Sequence, residues 1–100
     1  MDKKTVLDTL KTHKSEIERL GFSKIGLFGS YAKETQTPYS DIDIAIAKKR
    51  TSFENAYDYF NKRKMLQEFL REKLHRKIDI FDLDSVSDIK PFIEKEIIYV

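Results

Sequence analysis

The chain is expected to fold as a single α/β (α+β) domain, a small mixed β-sheet of three to four strands with helices packed on it. Residues 41–47, Asp-Ile-Asp-Ile-Ala-Ile-Ala, alternate at a period of two, the pattern of a strand with one buried face. Segments at helical spacing take turns along the chain with short apolar runs, in the order αβαβαβα. No internal repeat, low-complexity tract or linker interrupts that order, so residues 1–100 read as one domain. A hydrophobic fraction of 40% with 12% aromatics supplies one modest core, without room for a second, substrate-holding domain.

Each element has its own signal. From Thr5 to Leu20, Val6, Leu10, Ile17 and Leu20 fall near helical spacing, and Gly21 follows as a stop. Residues 24–28, Lys-Ile-Gly-Leu-Phe, form a short apolar strand that ends in Gly29-Ser30. Tyr31 to Glu34 then favours helix. Thr35 to Ser40, with Pro38, is a loop leading into the alternating strand 41–47. Between Phe53 and Leu74, the residues Phe53, Ala56, Tyr57, Phe60, Leu66, Phe69, Leu70 and Leu74 recur mostly three or four apart, predicting a long helix with one core-facing stripe. Residues 77–81 are a third strand, and Val86 to Glu96 a last helix with Pro91 in its first turns. The tail Ile97-Ile98-Tyr99-Val100 reads as an inner strand or as a partner-docking edge in need of cover.

Composition narrows the function. Nineteen basic and 17 acidic side chains leave a net charge of +2, too little to make nucleic acid or an anionic membrane an obligatory partner. The absence of cysteine excludes disulfides, thiolate metal sites and cysteine nucleophiles. No apolar stretch approaches the roughly 20 residues of a membrane span, and the first residues lack a signal-peptide pattern. A soluble cytoplasmic protein is expected. Lys62, Arg63, Lys64, Arg71, Lys73, Arg76 and Lys77 are interspersed with Glu68 and Glu72, as on a solvated helix face rather than a nucleic-acid surface.

The chemistry lies in carboxylates. Residues two apart in a strand share a face and sit about 6–7 Å apart, so Asp41 and Asp43 point together while Ile42, Ile44 and Ile46 take the opposite, buried face. Small Ala45 and Ala47 leave room for a ligand beside them. Asp79, between Ile78 and Ile80, is turned the same way in its own strand, and if the strands are neighbours all three carboxylates converge. Taken singly, each is an ordinary solvated side chain. Two aspartates in one strand and a third in another cost stability that function explains, because aspartate is a poor strand former. Three crowded anions would force a proton onto one of them unless a divalent cation compensated, and an all-oxygen donor set suits Mg²⁺ or Mn²⁺ shared with substrate phosphates.

Gly29 and Ser30 close a strand and open a helix, where free N–H groups favour phosphate, glycine permits close approach and serine both caps and donates. A capped helix in any α/β protein looks the same, so the pair gains meaning only beside the aspartates. Neither G-x-x-x-x-G-K-[ST] nor G-x-G-x-x-G occurs.

Gly29-Ser30-Tyr31-Ala32-Lys33, with ten residues from Tyr31 to Ser40 before Asp41-Ile42-Asp43 and then the later Asp79, resembles the polymerase-β-like nucleotidyltransferase superfamily, and within it the minimal, MNT-type members. The resemblance covers Leu27 to Asp84. It implies that Gly29, Ser30 and Lys33 bind the nucleotide, that Asp41 and Asp43 hold metal, and that Asp79 is the third ligand, helping to lower the pKa of an attacking hydroxyl. It also implies Mg²⁺ or Mn²⁺ as cofactor and ATP as substrate. Minimal members often read A-R-G after the G-S-x, whereas this chain has Ala32-Lys33-Glu34, which keeps a positive charge, loses bidentate geometry and adds an anion.

The resemblance further implies an antitoxin paired with a HEPN-type ribonuclease toxin, to which AMP is attached on a tyrosine hydroxyl, within a homo- or hetero-oligomer. Transfer to an aminoglycoside-like small molecule with a partner subunit and neutralisation by binding alone are the alternatives, and a nucleic-acid module is a third. His13 and His75 read as exposed surface. Tyr57, Phe60 and Phe69 read as core, and Tyr31 and Tyr39 border the site in a structural or base-stacking role.

Overall fold

A computed structural model of the chain describes residues 1–49, 53–85 and 87–100. In order they form α1 (Lys3–Thr12), α2 (Lys14–Leu20), β1 (Phe22–Phe28), α3 (Gly29–Lys33), β2 (Ile42–Lys48), α4 (Ala56–Leu74), β3 (Ile78–Asp82), α5 (Lys90–Glu96) and β4 (Ile98–Tyr99). The four strands make one mixed sheet in the order β3-β2-β1-β4. β1 is antiparallel to β2 and to β4, and β2 is parallel to β3. The expected α/β architecture with a small mixed sheet is what forms, and the apolar tail is an edge strand.

Burial of alternate isoleucines sets the facing of the strands. Ile42, Ile44 and Ile46 are fully buried, and Ile25 and Leu27 of β1 and Ile78 and Ile80 of β3 are buried with them, beneath Val6, Leu10 and Ile17 of α1 and α2 and Leu66, Leu70 and Leu74 of α4. Each buried isoleucine contributes roughly 1.5–3 kcal/mol, so three in β2 outweigh the penalty of about 1 kcal/mol for aspartate in a strand. Shifting the register by one residue would reverse every side chain and lose that term. The opposite face carries a smaller core of Ala45, Leu83 and Ile93, with Phe28, Ala47, Phe81 and Ile97 packed against it.

Several elements differ from the sequence expectation. The single N-terminal helix is two, broken at His13, whose φ of −102° and ψ of 12° leave the helical region. Thr9 and Thr12 bond their hydroxyls back to the carbonyls of Thr5 and Asp8 just before the break, a habit that bends helices. The His13 ring is not simply exposed, since it meets Phe69 edge-on at 5.1 Å. The last helix starts at Lys90 rather than at Val86, which lies outside the described residues, and Pro91 stands in its first turn, where a missing N–H costs nothing.

α4 begins at Ala56 behind an Asn55 cap, and its buried line is Tyr59, Leu66, Leu70 and Leu74. Tyr57 and Phe60, expected in the core, are 79% and 65% exposed. The inward position between Tyr59 and Leu66 belongs to Arg63, which bonds the carbonyl of Ile80 and so is not part of a solvated face. A charged residue on the buried line rotates any count of apolar side chains onto the wrong face. Among the described residues, no helix is long and apolar enough to cross a membrane.

Candidate active site

Asp43 of β2 and Asp79 of β3 are partners in register across a parallel ladder. Their side chains therefore leave the same face of neighbouring strands, which run about 4.8 Å apart. Asp43 is also in register with Phe28, the last residue of β1, so Gly29 follows directly beside it. Gly29 has a φ of +73°, and a Cβ built there would run into the Asp43 carboxylate. Glycine is required twice over at that position, by backbone conformation and by the approach of the acid.

Asp41 is placed differently from expectation. β2 begins at Ile42, so Asp41 sits just ahead of the strand, at the end of a turn closed by the Thr37 N–H donating to Ser40 Oγ at 2.9 Å. Its Oδ2 lies 3.6 Å from Lys77 Nζ, and the Ile42 N–H donates to the Lys77 carbonyl at 3.0 Å. The start of β3 thus anchors the start of β2, bringing Asp41 to the same end of the sheet as Asp43 and Asp79.

The electrostatics follow from this crowding. Burial is the largest cause raising the Asp43 carboxyl from the ordinary 3.8 to about 6, with the charges of Asp79 and Asp41 adding to it. Phe28, in register with Asp43, packs against the second core. Ala45 was expected to leave space for a ligand, but it is fully buried in the cluster with Leu83 and Ile93 and offers none.

The nucleotide-binding candidates occupy α3. The N-cap is Phe28, without a side-chain cap bond, and Ser30 is the second residue of the helix rather than its cap. Tyr31 is 2% exposed and belongs to the core, whereas Tyr39 is 94% exposed on the loop. Lys33 is drawn to α5, its Nζ 2.8 Å from Glu96 Oε1. Glu34 is the C-cap in the left-handed region, at φ 61° and ψ 34°, a conformation that favours glycine. The glycine that resembling proteins often carry there is a backbone requirement, which this chain meets with a strained glutamate.

The donors suit a hard divalent cation in kind, being carboxylate oxygens whose mutual repulsion, second to burial in raising the pKa of Asp43, a positive charge would relieve. Among the described residues, no group of three or more His, Cys, Asp or Glu side chains stands close enough to enclose an ion alone. A cation held here would need further oxygens from a ligand. Sequence reasoning missed the partners of these residues, Lys77 for Asp41 and Glu96 for Lys33, because neither pair has a spacing that betrays contact.

A parallel pair of strands bearing facing aspartates, next to a glycine-serine turn, defines a class that comparison with known proteins identifies. Residues 5–99 match the family described as polymerase beta, nucleotidyltransferase, and the chain belongs to that family: it is a nucleotidyltransferase domain. A protein of Methanocaldococcus jannaschii whose name places it among the protein adenylyltransferases is 35% identical over 98 residues, spanning 95% of this chain and 94% of the relative. The solved structure of a minimal nucleotidyltransferase is similar in fold, with a TM-score of 0.80 at 21% identity over 98% of this chain and 95% of that one. So is the Shewanella oneidensis complex of a tri-AMPylated HEPN toxin with an MNT antitoxin, with a TM-score of 0.60 at 23% identity over 99% of this chain and 71% of that one.

Proposed function

We propose that this nucleotidyltransferase moves AMP from ATP to a hydroxyl, the acceptor being a tyrosine of a HEPN-type partner protein, and that it acts thereby as an antitoxin. The single observation that supports the chemistry best is the register of Asp43 with Asp79 beside Gly29. Asp41, Asp43 and Asp79 are read as ligands of Mg²⁺ or Mn²⁺, with triphosphate oxygens completing the shell. The bound cation would neutralise charge that builds on the phosphorus centre and on the leaving group.

In this reading Gly29 lets the triphosphate approach the first turn of α3, and Ser30 donates its hydroxyl to a phosphate oxygen. Lys33 exchanges Glu96 for phosphate. The acceptor oxygen attacks the α-phosphorus in line, its bond forms as the α–β bridging bond breaks, and pyrophosphate departs. Asp79, exposed on the edge strand, orients the attacking hydroxyl and favours loss of its proton. A domain of this size offers little surface for cradling a second substrate, which is why the acceptor is assigned to a partner chain. Names and structures of similar proteins favour a protein acceptor.

The test is intact-mass measurement of a HEPN-type protein encoded next to this chain, after incubation with the wild-type chain, each nucleoside triphosphate and Mg²⁺. An AMP-sized increase with ATP, lost on Asp43→Asn, is expected. No mass gain with any triphosphate would remove the proposal.

A further inference from the structure

Among the described residues β3 is an edge strand, with β2 on one side and no strand on the other. Its bonds to β2 are bracketed by the Ile42 N–H donating to the Lys77 carbonyl and the Leu83 N–H donating to the Ile46 carbonyl, at 3.0 and 2.8 Å. By strand alternation, odd-numbered residues of β3 address β2 and the backbone groups of residues 78, 80 and 82 face outward. α4 meets them. Gln67 Nε2 donates to the Ile78 carbonyl at 2.8 Å, and Arg63 Nη2 donates to the Ile80 carbonyl at 2.6 Å. Tyr59 donates its hydroxyl to the Asp82 carboxylate. Residues 59, 63 and 67 are successive members of an i, i+4 row, so one stripe of α4 replaces a fifth strand.

Asp79 lies between the two carbonyls that Gln67 and Arg63 hold. We propose that Arg63 and Gln67 are positioning residues for Asp79, fixing the edge strand so that its carboxylate faces Asp43 at the separation a shared cation needs. An edge strand bonded on one side only can twist and fray, and a carboxylate at its start would share that freedom. Clamping the carbonyls on either side of Asp79 removes it. This inference rests on the reading of Asp79 as a metal ligand.

The experiment uses the full chain and Mn²⁺ as the probe, read by electron paramagnetic resonance with a non-hydrolysable ATP analogue present. Gln67→Leu and Arg63→Met each delete one donor while keeping the stem, and Tyr59→Phe deletes the seam bond at the end remote from Asp79. All three are expected to unfold at lower temperature. Only Gln67→Leu and Arg63→Met are expected to weaken Mn²⁺ binding, by about tenfold, the scale seen when a partner of a metal ligand is removed. Arg63→Lys, which retains one donor, recovers most of the loss. Unchanged Mn²⁺ affinity in the first two, or an equal loss in Tyr59→Phe, overturns the proposal in favour of a general structural role. If the wild-type chain itself takes up no Mn²⁺ with nucleotide, the metal-ligand reading of Asp79 fails instead. Amide exchange over residues 78–81, expected to be faster in Arg63→Met and Gln67→Leu than in Tyr59→Phe, then decides separately whether the seam fixes the strand.

Discussion

Asp43→Asn is expected to make the metal-free protein more stable at neutral pH while abolishing nucleotidyl transfer. The Asp43 carboxyl titrates near 6 in the folded chain instead of 3.8, chiefly through burial and then through Asp79 and Asp41. The folded state therefore disfavours the ionised form. Because the pKa is raised, the associated stability is fully present below about 3.8 and is lost as pH rises through about 6. At about 1.4 kcal/mol per tenfold, an unscreened site would lose about 3 kcal/mol. Asp43 is only half-buried, so solvent screening leaves about 1–2 kcal/mol. Asparagine keeps the shape and removes the charge. Urea unfolding at pH 8 without divalent ions should show the variant about 1–2 kcal/mol more stable, or roughly 4–8 °C per kcal/mol in Tm for a domain of this length. At pH 4 the difference should shrink towards zero. Mg²⁺ with ATP should then stabilise the wild type and not the variant. A variant less stable than the wild type at pH 8, or a difference independent of pH, would refute the electrostatic reasoning.

Three further substitutions test the geometry. Glu34→Gly should stabilise the chain by about 0.5–1 kcal/mol in urea unfolding, since glycine accepts φ 61° without the Cβ penalty of about 1–2 kcal/mol and returns part of the gain as unfolded-state entropy; a loss of stability would contradict this. Gly26→Ala should cost about 1–3 kcal/mol and release β4, because the added Cβ would lie 2.6 Å from Ile97 Cγ1 and 2.9 Å from the Ile98 carbonyl, a backbone atom that cannot turn aside. Amide exchange at Ile98 and Tyr99 reads that release, and wild-type protection there would disprove the close packing. Gly29→Ala should both lower stability, by about 1–2 kcal/mol, and displace Asp43, reducing nucleotide affinity measured by calorimetry. Unaltered affinity would show that the Gly29–Asp43 approach is incidental.

What the sequence reveals and what it hides divide along a physical line. The period-two run 42–46 declares its buried face because three isoleucines dominate the energetics, and the facing of Asp43 follows. Gly29-Ser30 is legible because a strand-to-helix corner is local. The pairing of Asp43 with Asp79 is a tertiary fact, available beforehand only as a condition that the strands be neighbours. Ser30 looked like a cap because serine is a good one, yet Phe28 holds that place, two residues earlier, and the helix begins at Gly29. Tyr57 and Phe60 looked like core because apolar spacing alone cannot see that Arg63 occupies the inward stripe. Polar side chains whose partners are backbone carbonyls leave no pattern in the amino-acid order.

One face of the sheet does two jobs, and β2 marks the border between them. Down that face it reads Asp43, Ala45, Ala47, and the change from acid to alanine is where α5 and Leu83 close over the strand. Small side chains let the second core sit tightly against the sheet, which puts an apolar wall at the foot of the carboxylates. Burial raises the Asp43 pKa, and the low dielectric that penalises the bare charge would equally strengthen its attraction for a cation. A larger hydrophobic residue at Ala45 would therefore disturb both the packing of the second core against the sheet and the surroundings of the Asp43 carboxylate two residues before it.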